Sequence, residues 1–146
     1  MSRTLIREGN IEEVAALGAM IPEFIRPFSA DDYKGRLEGQ THLILVAEID
    51  LRPVGFKVGY ARFQPGTFYS WMGGVLPVYR RMGIADSLAE AQEAWARDRG
   101  FRKVVFKTRN RFSGMIQFGP SRGFAIVGVF RKGDVLDYRI LMEKEL

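Results

Sequence analysis

The chain has 146 residues, a formal net charge of +5, no cysteine and one histidine. This length predicts one domain, 1–146, which can bury roughly 68–70% of its unfolded surface without a covalent staple. The composition excludes disulfides and a thiolate nucleophile and leaves too few imidazole and thiolate ligands for a transition-metal site.

The opening residues, Met1 to Glu8, lack the apolar centre of a signal peptide. No apolar run approaches the ~18 residues that span a bilayer, so a cytoplasmic protein without a membrane partner is the expectation. Thr4 to Arg7 reads as a first strand. Asn10 caps a helix reaching about Met20, with Glu13 at the reciprocal position. Pro22 and Pro27 interrupt the next stretch. Ser29 and Asp32 then mark a second helix that ends near Glu38-Gly39.

Thr41 to Ile49 reads as a strand, Asp50-Leu51-Arg52-Pro53 as a turn, and Val54 to Ala61 as a strand of clear two-residue period. Gln64-Pro65-Gly66 turns the chain into a fourth strand, Thr67 to Val75, completing an antiparallel meander. Gly73 and Gly74 lie inside that strand, where glycine marks a bulge or the close approach of a ligand. A helix runs from Gly83 to about Arg99, with an apolar stripe of Ile84, Leu88, Ala91 and Trp95. Gly100 stops it. Arg102 to Thr108 is a buried strand, so the crossover is parallel and right-handed, with its ligand end beyond the strand C-termini. A short helix starts at Met115, a sixth strand at Gly123-Phe124, and Val135 to Lys144 forms the last strand.

The most telling stretch is Arg80-Arg81-Met82-Gly83-Ile84-Ala85. It follows a strand and opens a helix, so a run of backbone N–H groups without internal partners meets the positive end of the helix dipole. Such a turn binds phosphate. These residues resemble the (Gln/Arg)-x-x-Gly-x-(Gly/Ala) signature of the GNAT superfamily of acyl-CoA N-acyltransferases. Val75-Leu76-Pro77 resembles the Val-x-Pro that closes that family's fourth strand, and Gly123-Phe124 and Leu141-Met142-Glu143-Lys144 resemble its later landmarks.

The resemblance implies an α/β (α+β) GNAT fold. Its single mixed, mostly antiparallel sheet has about seven strands, splayed between strands 4 and 5 and flanked by about four helices. It implies acetyl-CoA as co-substrate, with no metal, and transfer of the acetyl group to a small-molecule or peptide amine by direct attack. Coenzyme contacts fall on Gly74, Val75, Leu76, Arg80, Arg81, Met82, Gly83, Ile84, Ala85, Asp86, Asn110 and Ser113, with the Gly74 and Val75 backbone facing the thioester. The coenzyme carries roughly three to four negative charges on its phosphates, a use for some of the basic group Arg102, Lys103, Lys107, Arg109 and Arg111. Dimerisation is common in this fold, though no exposed heptad marks an interface.

The catalytic groups depart from the family pattern. Many members protonate the departing thiolate with a tyrosine four residues before the Gly-Phe glycine; Gly119 stands there, followed by Pro120. No tyrosine occurs between Phe101 and Leu136, which leaves Ser113 or a water as acid in that segment. Where some members carry a basic glutamate this chain has Tyr69, a polar handle for the acceptor or a packed ring. Glu23, Asp31, Asp32, Glu38 and Glu48 are the carboxylates near the acceptor side, each also readable as a surface charge. His42, at the start of the second strand, is better read as structural than as a base. Phe24, Phe28, Tyr33 and Trp71 suggest an aromatic acceptor wall suited to an apolar or aromatic amine. Two competing readings stay open. One is an acyl-CoA-binding module without catalysis, which the missing tyrosine fits. The other, less favoured, is a basic nucleic-acid-binding domain, supported by charge alone.

Overall fold

The computed structural model describes residues 4–146; Met1 to Arg3, part of the segment read for a signal peptide, lie outside the described residues. The chain opens with β1 (Thr4–Glu8), α1 (Ile11–Ala19) and α2 (Ala30–Leu37). Both helices begin in complete capping boxes: Asn10 with Glu13, and Ser29 with Asp32. Each box satisfies amides that the helix itself leaves bare. The meander follows as β2 (His42–Ile49), β3 (Arg52–Ala61) and β4 (Thr67–Val75). The β2–β3 turn is tighter than expected, because Arg52 and Pro53 already pair in β3. Only Asp50 and Leu51 bridge the strands, and both take positive φ, 51° and 67°.

After a short 3-10 turn, Pro77–Tyr79, come α3 (Ile84–Asp98), β5 (Lys103–Arg109), α4 (Ser113–Ser121), β6 (Ala125–Phe130) and β7 (Arg139–Glu145). The last strand starts later than its apolar content suggested. Val135–Asp137 forms a 3-10 turn, held by Arg111 N–H donating to the Leu136 carbonyl and Asn110 N–H to that of Tyr138. Helix α4 starts two residues before Met115.

Among the described residues seven strands form one sheet in the order β1-β2-β3-β4-β5-β7-β6, antiparallel except for β4–β5. Parallel pairing there covers only Thr67, Phe68 and Tyr69 against Lys103, Val104 and Val105. Beyond Tyr69 the two strands diverge, so the facing edges of β4 and β5 lack a strand partner and a V opens between them.

The slip in β4 lies elsewhere than expected. Val58 pairs with Met72 and Gly59 with Ser70, so the extra residue is Trp71. Gly73 and Gly74 stay in register with Lys57 and Phe56. Close approach explains Gly74, where a Cβ would come within 2.4 Å of Ile21 Cδ1.

One core layer packs α3 and α4 on the sheet through Leu43, Leu45, Val54, Phe68, Ile84, Leu88 and Phe106. The other packs α1 and α2 through Val14, Leu17, Tyr33, Ile44, Val46, Phe56 and Tyr60. Strand β3 is therefore covered on both faces. The buried side of α3 is also more polar than its apolar stripe implied: Gln92 and Glu93 are buried with Ile84, Leu88, Ala89 and Ala96, while Ala91 and Trp95 pack at the edge.

Candidate active site

A cleft of about 1030 Å³ occupies the V and runs from the α3 N-terminus to the aromatic wall on the opposite face of the sheet. Its outer end is the turn before α3. Gly83 takes φ 78° as the residue preceding the helix, and Arg81 takes φ 62°. Two left-handed residues in three curl the main chain into a concave nest of amides. For a residue with a side chain that conformation costs about 1–3 kcal/mol, a strain typical of ligand clamps. Among the described residues no acceptor takes the N–H groups of Arg81, Met82, Gly83, Ile84, Ala85 or Asp86. A Cβ on Gly83 would meet nothing within 4 Å.

Most of the expected coenzyme contacts converge here. Gly74, Val75, Arg80, Arg81, Gly83, Ile84, Ala85, Asp86 and Ser113 line the cleft, as does Tyr69. Three of the expected contacts do not. The Leu76 amide is taken by the Val54 carbonyl at 2.8 Å, and its side chain borders a separate groove near α1. The Met82 side chain is exposed and outside the lining. Asn110 donates its Nδ2 to the Val135 carbonyl at 3.1 Å, tying β5 to the turn before β7 instead of reaching the cleft. The Arg80 guanidinium is also engaged. It donates to both Glu23 carboxylate oxygens at 2.7 and 2.9 Å, and to the Val75 carbonyl at 3.0 Å. Arg80 is thus a brace across the cleft mouth, and it holds the Glu23 carboxyl below its ordinary range.

The lining is basic. Lys57, Arg80, Arg81, Lys107, Arg109, Arg111 and Arg139 face Glu23, Asp86 and Glu93. All three carboxylates are committed: Glu23 to Arg80, Asp86 to Arg122, and Glu93 to Lys144 at 2.6 Å and Arg122 at 3.3 Å. Bare amides and surplus cations at one mouth suit a polyphosphate.

Three polar groups at the inner end escaped the sequence reading. Gln92 is 1% exposed, and its Nε2 has no partner among the described residues. Glu93 is buried beside it. Lys57, on β3, projects onto the α3 face directly opposite Gly73, which offers it no side-chain obstacle. It forms no ion pair among the described residues. Burial lowers its ammonium pKa from the usual 10.5 to about 8; Glu93 opposes that shift and Arg122 adds to it.

Gly119, at the family's tyrosine position, is sealed. A Cβ there would lie 2.3 Å from Met142 Sδ and 3.0 Å from Phe106 Cζ. His42 is exposed and its Nδ1 lies 2.9 Å from the Gln40 carbonyl. Among the described residues no three His, Asp or Glu side chains gather to hold a metal ion, and no helix is long and apolar enough to cross a membrane.

On the opposite face Phe24, Phe28 and Trp71 of the expected wall line the cleft, while Tyr33 is buried behind them. Trp71 packs against Phe28 at 5.2 Å and Tyr33 at 5.3 Å between ring centroids, and Tyr60 against Tyr69 at 5.6 Å. Burial raises the Tyr33 phenol to about 12 and also raises Tyr69.

Comparison with known proteins decides the family. Residues 14–124 match the family model described as Acetyltransferase (GNAT) family. The chain belongs to the GNAT acetyltransferase family. Solved structures share the GNAT fold at low identity. The ribosomal-protein-S18-alanine N-acetyltransferase from Escherichia coli superimposes with a TM-score of 0.84 at 16% identity, over 98% of this chain and 94% of that one. Ard1 from Thermoplasma volcanium gives 0.84 at 18%, over 98% and 97%. The PaiA N-acetyltransferase from Thermoplasma acidophilum, solved in complex with coenzyme A, gives 0.75 at 16%, over 99% of each chain. No curated protein matches the chain.

Proposed function

We propose that this GNAT chain is an N-acetyltransferase that moves an acetyl group from acetyl-CoA to an amine by direct attack within a ternary complex. The observation that carries this reading is the row of bare amides from Arg81 to Asp86 at the mouth of a basic cleft. That turn takes the diphosphate, with Arg81 and the α3 dipole supplying positive charge. The unpartnered edge of β4 takes the pantetheine arm. An amide near Gly74 or Val75 stabilises charge developing on the thioester oxygen, a donor typically worth ~2.7–4 kcal/mol. Holding both reactants in one V contributes several kcal/mol more, up to roughly 7–11 in ideal cases.

Tyr69 is protonated at neutral pH, as any phenol of ordinary pKa about 10 is, and burial raises it further. It therefore orients the acceptor amine, while water carries off the amine's proton. Lys57 takes the role of the absent tyrosine. Its ammonium reaches the cleft across Gly73, stays charged near neutrality, and is closely matched to a thiol of pKa about 8.5. As the carbon–sulfur bond breaks, the sulfur keeps the electron pair and receives a proton from Lys57 Nζ. Solvent then restores the ammonium.

Calorimetry with coenzyme A tests the assignment. The wild type binds. Gly83→Val, whose side chain fills the space open above the turn, loses at least about tenfold in affinity while remaining folded. Unchanged affinity refutes the phosphate assignment. The second reading, a coenzyme-binding module without catalysis, is favoured by Gly119 alone and predicts binding with no thiol release across a broad amine panel.

A further inference from the structure

The aromatic wall carries more positive charge than an apolar acceptor requires. Arg36, on α2, and Arg62, after β3, each donate Nη1 to the Tyr60 hydroxyl at 3.1 Å. Two guanidinium groups therefore converge on one neutral oxygen. Arg36 also stacks on Trp71 at 4.8 Å from its centroid, and Arg62 on Phe63 at 4.9 Å and Tyr69 at 5.4 Å. Lys107, on β5, completes the group from the far side of the V, over Phe63 at 5.3 Å and Phe130 at 5.7 Å. None of the three pairs with a carboxylate among the described residues. Nearby, Arg109 and Arg111 share the single carboxylate of Asp137.

Like charges repel, and gathering them without a counter-charge raises the energy of the free protein. Burial pushes the Lys107 ammonium below its ordinary range, and the neighbouring Arg62 adds to that shift. Phenol and ring contacts hold the arginines in place but do not neutralise them. Guanidinium forks matched to a planar anion relieve such a cluster with two parallel hydrogen bonds. Lys107, Tyr69 and Trp71 belong to the cleft lining, and Arg36 and Arg62 reach it through their contacts with Trp71 and Tyr69.

We propose that the acceptor is an aromatic or apolar amine that also carries a carboxylate, and that Arg36, Arg62 and Lys107 hold this carboxylate above the Tyr69–Trp71 wall. The proposal rests on the acyl-transfer reading and narrows its acceptor class. An α-amino acid with a flat side chain meets every feature of the wall: amine toward the V, carboxylate on the cations, ring against Phe28 and Trp71.

The test compares acceptors that differ in one group. Thiol release from acetyl-CoA is measured with phenylalanine, with 2-phenylethylamine, which lacks the carboxylate, and with aminoethyl phosphate. Phenylalanine is expected to exceed phenylethylamine by about tenfold or more in kcat/KM, the scale of a charge-assisted pair. In the Arg36→Gln/Arg62→Gln double variant that ratio falls close to one, and Arg→Lys changes restore it in part. A second readout needs no turnover. In a Trp95→Phe background, Trp71 fluorescence reports the binding of N-acetylphenylalanine against N-acetyl-2-phenylethylamine. A ratio near one in the wild type, preference for the neutral amine, or preference for the phosphate overturns the proposal. Failure of coenzyme A to bind in calorimetry overturns the acyl-transfer reading instead, and the fluorescence comparison still decides whether the wall selects a carboxylate.

Discussion

Replacing Lys57 by methionine is expected to make the protein more stable and less active at once. The native fold lowers this ammonium from the usual 10.5 to about 8. At about 1.36 kcal/mol per pKa unit, the charged form carries a penalty of up to ~3 kcal/mol in the fold. Lys57 is only partly buried, and solvent contact lowers the realistic figure to ~1–2 kcal/mol. Methionine keeps the length and apolar stem and removes the charge. The sign follows from linkage. Between pH 8 and 10.5 the unfolded chain holds more protons at this site than the native one, so wild-type stability rises with pH across that window. The variant's advantage is therefore full at pH 7 and shrinks by ~1–2 kcal/mol towards pH 10.5. Urea unfolding of both proteins at matched pH values gives the difference, since all other ionisable groups are common to the two chains. On the kinetic side, loss of the proton donor lowers kcat by about 10²-fold, with coenzyme A affinity by calorimetry little changed. A stability difference independent of pH, or a variant that turns over like the wild type, refutes the role given to this lysine.

Other substitutions test the frame around the cleft. Gly59→Ala places a Cβ 2.3 Å from Phe68 Cε2 and 2.7 Å from the Tyr69 carbonyl; a loss of about 1–3 kcal/mol is expected in denaturant melts. Glu13 sits below its ordinary carboxylate range because of Arg7. Its stabilising contribution is full above the unfolded pKa and fades as pH falls through the native value. Glu13→Gln should remove up to ~1 kcal/mol at pH 7 and nothing in acid, read from melts across pH 2.5–7. Gly119→Tyr is expected to unfold the α4–β7 contact, because Met142 and Phe106 already fill the space a side chain would need. A folded, more active Gly119→Tyr enzyme would return the proton-donor role to α4.

The parts of this fold readable from the chain are those set by local chemistry. The Asn10 and Ser29 caps, the Gly83 turn and the meander each follow from a few adjacent residues, and the structure places all of them. The β4 slip at Trp71 was not readable, because it depends on how β4 meets β3 and not on β4 itself. The glycine pair beside it attracted the reading, although those glycines answer to Ile21 and Phe56. Lys57 was missed for a related reason. The alternation of Val54, Phe56, Val58 and Tyr60 reads as a strand with one face in solvent, yet both faces of this central strand are covered. Gln92 and Glu93 defeat a helical-stripe reading: the burial of Glu93 is supported by Lys144 and Arg122, distant in sequence, and Gln92 is buried beside it with its Nε2 unpartnered among the described residues. Asn110 shows the limit of resemblance. It stands at a familiar place, but in this chain its amide is already engaged with Val135.

The single extra residue at Trp71 also divides the strand into two independent halves. A strand's side chains alternate faces, and one inserted residue reverses the sequence of faces beyond it. Tyr69, before the slip, and Trp71, at it, build the face proposed for the amine, while Val75, beyond it, packs with α3 in the layer proposed for the acyl donor. Changes to the first half therefore leave the second where it stands. On the proposed acyl-transfer reading, such a strand acquires new acceptors by repainting one wall, with the grip on the acyl carrier left intact.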